Sequence, residues 1–234
     1  MGKFSERSTE TELMDDLSLD QTQLKKVLLD IDRANTFLNG NNLTVQSLHS
    51  LIYSKNKESY TILDMGCGNG SMLRTIVLWS RKHNFKLKCI GVDLNEKSLD
   101  IARQQSLNFP EIEYLKQDIL KLQPDELQCD VLLCTLTMHH FTNEQIPQFL
   151  TQFSKLSRIG FIINDLQRSA MAYQLFKLFS TIFIRTNIAK QDGLTSIKSG
   201  FLKNELQAFA TKLPKMKHAI AQKWAFRYVW VAEH

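Results

Sequence analysis

The residues whose types and spacing could do chemistry cluster around one glycine-rich turn. In Ile62-Leu63-Asp64-Met65-Gly66-Cys67-Gly68-Asn69-Gly70-Ser71 an apolar run meets a turn that opens a helical pattern. Glycines let the backbone turn tightly and let a ligand lie against the main chain, while a helix start offers unpaired N–H groups. The spacing is Gly-x-Gly-x-Gly, and Ser71 stands where a dinucleotide fingerprint carries its third glycine. Asp64, two residues ahead of Gly66, repels a pyrophosphate but suits a ligand carrying an ammonium and a sulfonium. Asp93 ends the next apolar run and is placed to accept hydrogen bonds from ribose hydroxyls. Asp118 follows the third run and suits an adenine amino group. The fourth run ends Thr135-Leu136-Thr137-Met138-His139-His140-Phe141, and the fifth ends Ile163-Asn164-Asp165-Leu166-Gln167-Arg168. An imidazole at His139 or His140 can take an acceptor's proton while Asp165, across the pocket, orients it; otherwise the pair only shapes the pocket. Arg168 either reaches an anionic acceptor or caps its strand.

These positions need a scaffold that brings strand ends together. Strand-like runs at 60–65, 88–94, 112–115, 131–136 and 161–163 alternate with helical patterns at 71–81, 96–105 and 143–156. Such alternation predicts right-handed crossovers, a mostly parallel sheet and helices on both faces. Ligands then bind beyond the carboxyl ends of the strands, where the polar tips converge. Thr142-x-x-Gln145 reads as a capping box. After a helix near 203–213, runs at 217–222 and 226–232 are separated by too few residues for a crossover, so they predict an antiparallel hairpin. The first fifty residues read as helices. Ser18-x-x-Gln21 resembles a capping box, Leu24, Val27, Leu28, Ile31 and Leu38 recur at helical spacing, and Asn39-Gly40-Asn41-Asn42 predicts a turn. A second helix is predicted over 44–53. Residues 1–55 are therefore expected as an N-terminal helical cap and 56–234 as one globular domain. Residues 171–184, with Tyr173, Phe176, Phe179 and Phe183, are apolar nearly all round and fit core, a dimer face or a membrane-surface helix.

Composition narrows the classes. With 43% hydrophobic and 23% charged residues in 234, the chain has the make-up of one folded domain rather than of a disordered one. The net charge of +5 comes from scattered basic residues, which argues for solvated faces over a nucleic-acid surface. Four cysteines without a C-x-x-C pair predict a reduced, cytoplasmic protein, and Cys134 reads as a packed core thiol. The polar segment 1–20 has no apolar signal region, and 171–184 is too short to span a bilayer. Asp130 reads as structural or solvent-facing rather than as a ligand, and His49, His83, His218 and His234 as isolated and solvated.

The chain resembles class I S-adenosylmethionine-dependent methyltransferases in Asp64-Met65-Gly66-Cys67-Gly68-Asn69-Gly70, Gly91-Val92-Asp93, Gln117-Asp118 and Met138-His139-His140-Phe141. It looks most similar to small-molecule methyltransferases of the ubiquinone/menaquinone-biosynthesis and natural-product type. The resemblance covers roughly residues 60–165. It implies a Rossmann-like α/β fold whose seven-stranded sheet runs 3-2-1-4-5-7-6 with the last strand antiparallel. It implies S-adenosylmethionine as cofactor and no metal. Asp64, Met65, Gly66, Cys67, Gly68, Asn69 and Gly70 would hold the methionine part, Asp93 the ribose, and Leu94, Asp118 and Ile119 the adenine, with Thr135 beside them. The N-terminal helices and 171–184 would form a lid. The expected reaction is methyl transfer to a small aromatic or apolar acceptor, at oxygen rather than carbon. The rivals are an RNA or protein methyltransferase, an NAD-dependent oxidoreductase and a catalytically silent binding module. A homodimer is compatible with the sequence. The fourth strand lacks the Asn/Asp-Pro-Pro-aromatic tip of base methylation.

Overall fold

Apolar runs pair side by side into one sheet, whose central strands are buried and whose two edge strands are largely exposed. The computed structural model describes residues 4–55, 57–122 and 127–234. Strands β1 (Tyr60–Met65), β2 (Leu87–Asp93), β3 (Ile112–Lys116), β4 (Cys129–Thr135) and β5 (Ser157–Leu166) lie parallel. Strands β6 (Lys217–Lys223) and β7 (Arg227–Glu233) form the hairpin, and the order is β3-β2-β1-β4-β5-β7-β6. This is the expected topology. Because β7 runs antiparallel to β5, its first residue, Arg227, pairs with Leu166 at the carboxyl edge where the site lies.

Helices α1 (Gln21–Phe37), α2 (Gly40–Ile52), α3 (Ser71–Lys82), α4 (Glu96–Gln105), α5 (Ile146–Leu156), α6 (Ala170–Phe183), α7 (Asn187–Ser199) and α8 (Lys203–Ala210) complete the chain. On one face Phe149, Phe153, Phe161 and Trp230 make a continuous run of ring contacts. On the other, Leu48 and Ile52 of α2 pack with Ile62, Leu73, Ile76 and Val131. Each such fully buried side chain contributes ~1.5–3 kcal/mol relative to exposure.

Several local expectations change. Helix α1 is capped by Asp20, which accepts from the amides of Thr22 (2.9 Å) and Gln23 (3.1 Å), not by Ser18. The 39–42 turn contracts to Asn39 alone, in the left-handed region at φ 58°. Gly40 instead starts α2, and a Cβ there would lie 2.9 Å from the Arg227 guanidinium carbon. Strand β5 is longer than 161–163 because β4 and β7 flank it and recruit its polar ends. Thr142 and Gln145 do exchange side-chain-to-backbone bonds (3.3 and 3.0 Å), one residue ahead of α5.

Arg168 is a tie rather than a ligand group: its buried guanidinium pairs with both oxygens of Glu205 (3.0 and 2.5 Å) and donates to the Gly200 carbonyl (2.6 Å). His49 and His218 are not isolated. His49 lies against the rings of Tyr53 and Trp79, and His218 accepts from Trp230 Nε1 (3.2 Å) while donating to the Leu213 carbonyl (2.9 Å). Asp130 holds the Thr61 amide (2.8 Å) and Lys57, and Cys134 is fully buried, both as expected. Helix α6 is not core, since Met171, Leu178 and Ile182 are more than half exposed.

Candidate active site

The glycine turn is tied to the end of β2. The amides of Gly66 and Cys67 both donate to the Val92 carbonyl (2.8 and 3.0 Å), and the Gly68 amide donates to Asp93 Oδ2 (2.8 Å). Gly68 has φ +52°, and a Cβ there would meet only Leu28 at 3.7 Å, so the turn presents bare backbone to the space above it. Gly70 serves packing instead. With φ +75°, its Cβ would fall 1.9 Å from the Tyr114 hydroxyl. Asp93 Oδ1 accepts from the Asn95 amide (2.9 Å), so each carboxylate oxygen has one protein donor and spare lone pairs. Asp64 is 2% exposed, and its Oδ1 has no hydrogen-bond partner among the described residues. Burial, then the charge of Asp93, raises its pKa to about 7. Asn69 donates to Asp32 of α1 (2.6 Å), a carboxyl also raised by burial.

A cavity of about 630 Å³ runs from this turn to the His pair. Asp64, Gly66, Cys67, Gly68, Asn69 and Asp93 line its first half, with Leu94, Ile119 and Thr135 beside them. Met65, Gly70 and Asp118 stand off the wall. Met65 is in the core, and Asp118 accepts from the Leu120 amide (3.0 Å) and pairs with Lys121 (3.1 Å). The second half has mainly apolar walls from Phe37, Phe176, Phe179 and Ile184, with His139 and His140 at its edge.

Asp165 is not across the pocket but in contact with His139. Its Oδ1 lies 2.6 Å from His139 Nδ1, and its Oδ2 accepts the His139 amide (3.1 Å). The other ring nitrogen, Nε2, is 3.2 Å from Glu12 Oε1. Burial lowers the His139 pKa, but the charges and hydrogen bonds of Asp165 and Glu12 outweigh it and carry the value to about 10. Burial likewise raises Asp165 and Glu12, and the His139 charge pulls both below the usual carboxylate range. His139 is therefore an imidazolium with both nitrogens engaged. His140 stacks on it with centroids 4.4 Å apart, holds Nδ1 3.0 Å from Asp15 Oδ2, and has Nε2 3.9 Å from Glu12.

Glu12 and Asp15 come from a strap, residues 4–19, laid over the crevice. Arg7 fastens it through the carbonyls of His139, Phe141 and Ser199, each at 2.9 Å, and rests on the Phe201 ring. Asp192 of α7 accepts from the amides of Leu13 (2.8 Å) and Met14 (3.0 Å), and Lys97 donates to the carbonyls of Leu17 and Leu19. Ser196 donates to Glu12. Burial raises Asp192 to a pKa of about 6. Arg227 also lines the cavity. Its Nη2 donates to Asn35 (2.6 Å), its Nε has no partner, and no carboxylate lies within ion-pair distance among the described residues. Burial lowers its pKa to about 10, against the raising charge of Asp165.

Glu12, Asp15, Asp32, Asp192 and Arg227 were not legible as site residues. Only Arg227 carried a signal, a cation opening the otherwise apolar run Tyr228-Val229-Trp230-Val231.

The cluster gives stability a pH signature. His139 holds its proton more tightly folded than unfolded, so its contribution is full below about pH 6.5 and is lost as pH rises through about 10. The urea midpoint is expected to fall over that window and to lose that slope in His139→Gln. An unchanged slope would mean His139 is neutral.

Residues 62–160 match a family model described as a methyltransferase domain. That match covers less than half of the chain. No curated protein sequence matches it. Among solved structures, the methyltransferase fold here is similar to the plantazolicin methyltransferase BpumL in complex with SAH. That match has a TM-score of 0.68 at 18% identity, over 95% of this chain and 94% of that one. It is also similar to the magnesium protoporphyrin IX methyltransferase ChlM from Synechocystis PCC 6803 with bound SAM, at TM-score 0.57 and 14% identity, over 93% and 98%. A third match is a putative O-methyltransferase from Nostoc punctiforme PCC 73102, at TM-score 0.61 and 14% identity, over 89% and 60%. At these identities the likenesses concern the fold. The sheet order is the one the resemblance implied.

Proposed function

We propose that the protein transfers a methyl group from S-adenosylmethionine to a small aromatic or apolar acceptor, at oxygen rather than carbon. The observation that carries this reading is the unpartnered, buried Asp64 carboxyl oxygen beside an open glycine cradle and Asp93. An orphaned buried acceptor is costly unless a ligand donor satisfies it, and a cationic ligand would also favour the ionised form of Asp64. Gly66 and Gly68 would carry the methionine part, Asp93 the ribose hydroxyls, and Leu94 and Ile119 the adenine faces. Bound there, S-adenosylmethionine supplies a methyl group on a sulfonium, whose sulfur leaves as a neutral thioether.

The chain's own task is to place the acceptor, exclude water and manage one proton. Orientation alone can supply ~7–11 kcal/mol. The N-terminal cap closes the chamber with Glu12, Asp15 and Phe37. His139, fixed between Asp165 and Glu12, is a positioning residue. His140 takes the acceptor's proton at Nε2 while Asp15 holds Nδ1–H. Arg227, a buried cation without its own carboxylate, supports an acceptor oxygen that gains negative charge as its proton leaves. The four unpaired, buried thiols suit a reducing cytoplasm. Only the mild basic charge favours RNA, and a salt-sensitive gel shift would reveal that rival.

The test is a thermal-shift screen. S-adenosylhomocysteine at a hundred times its Kd should add ~2.7 kcal/mol, roughly 5–10 °C in Tm, and NAD should add nothing. A shift with NAD alone would overturn the reading.

A further inference from the structure

Helix α6 has two apolar faces and needs only one for the fold. Its inner face, with Phe176 and Phe179, lines the acceptor half of the cavity. On its outer face Met171, Leu178 and Ile182 recur at spacings of seven and four and are 63%, 64% and 70% exposed, while Leu175, 45% exposed, lies between that face and the cavity it also lines. Phe37, itself 64% exposed, extends the patch by packing on Phe179 and Phe183 at 5.4 and 4.7 Å. Trp224, 72% exposed at the β6–β7 turn, rims the same cavity. A contiguous apolar patch of this kind marks an interaction surface rather than ordinary surface exposure.

The charges say what covers it. From 169 to 191 the chain carries Lys177, Arg185 and Lys190 and not one acid. A second copy of this face would bring like charges together, whereas an anionic bilayer complements them. We propose that α6, with Phe37 and Trp224, seats the protein on an anionic lipid surface. No helix among the described residues is long and apolar enough to cross a membrane. Such a helix would lie in the interface plane, its apolar face among the acyl chains and its cations at the headgroups. Docking stands on α6 alone. That it delivers an apolar acceptor rests on the function proposed above.

The experiment is sedimentation of the full chain with phosphatidylcholine vesicles and with vesicles containing phosphatidylglycerol. The expected result is binding to the anionic vesicles that weakens at high salt. Binding should fall about ten-fold in Lys177→Glu/Arg185→Glu and be lost in Leu178→Glu/Ile182→Glu, all four positions being exposed. Both variants should keep the parent's melting temperature and S-adenosylhomocysteine shift. A chain that stays in the supernatant at low salt, or binds equally well after Leu178→Glu/Ile182→Glu, overturns the proposal. So does a dimer in light scattering that this variant dissolves, because the patch is then a contact between copies. The cofactor shift is read on the same samples. Its absence in the parent would sink the methyltransferase reading and leave the vesicle result standing.

Discussion

Replacing His140 with alanine lowers turnover by ~10²–10⁴-fold and leaves S-adenosylhomocysteine affinity within a few-fold. The size follows from general-base catalysis, and the choice of His140 follows from its neighbour. His139 cannot accept a proton while it already holds one between Asp165 and Glu12. His140 lines the same cavity, is exposed, and has one nitrogen held by Asp15 and the other free of any contact shorter than 3.9 Å to Glu12. Asp15→Asn should act in the same direction but less. Turnover unchanged in His140→Ala would end the base assignment.

Deleting residues 1–19 should abolish acceptor turnover, by at least ~10²-fold, while cofactor affinity changes by no more than a few-fold. The strap supplies Asp15 to His140 and Glu12 to His139, and it closes the chamber over both. The cofactor half is built from β1, β2 and the turn between β1 and α3, which the strap does not form. Truncation also leaves Asp192, Lys97 and His139 without their strap partners, so some stability is lost as well. Single-turnover rates and calorimetry on the truncated chain separate the effects. Retained turnover would make the strap an ornament.

The residues proposed to hold the cofactor were readable because their determinants are local. Asp64 to Ser71 sit in one strand–turn–helix, and Asp93 ends the next strand, so period and glycine spacing suffice. The hairpin was readable for the same reason, whereas its place in the sheet followed from the family resemblance alone. The acceptor half was not readable, because it is assembled across long sequence separations. Glu12 meets His139 over 127 residues, and Leu13 meets Asp192 over 179. Acids in a polar N-terminus look like solvated surface until the fold brings a buried imidazole to them. Asp165 was placed at the right strand end, but its reach to His139 depends on the turn after β4, where Leu136 takes a positive φ of 53°. Helix α7 escaped notice because its buried positions include Asp192, Thr195, Ser196 and Ser199, which show no apolar period.

The central claim is that the Asp64–Asp93 crevice binds S-adenosylmethionine, and calorimetric titration with S-adenosylhomocysteine tests it most directly. The parent should bind one equivalent, and Asp93→Ala, by removing charged hydrogen bonds of ~1.5–3 kcal/mol each, should weaken binding about ten-fold or more. Equal affinity in the parent and Asp93→Ala, or no heat with either, would contradict the account.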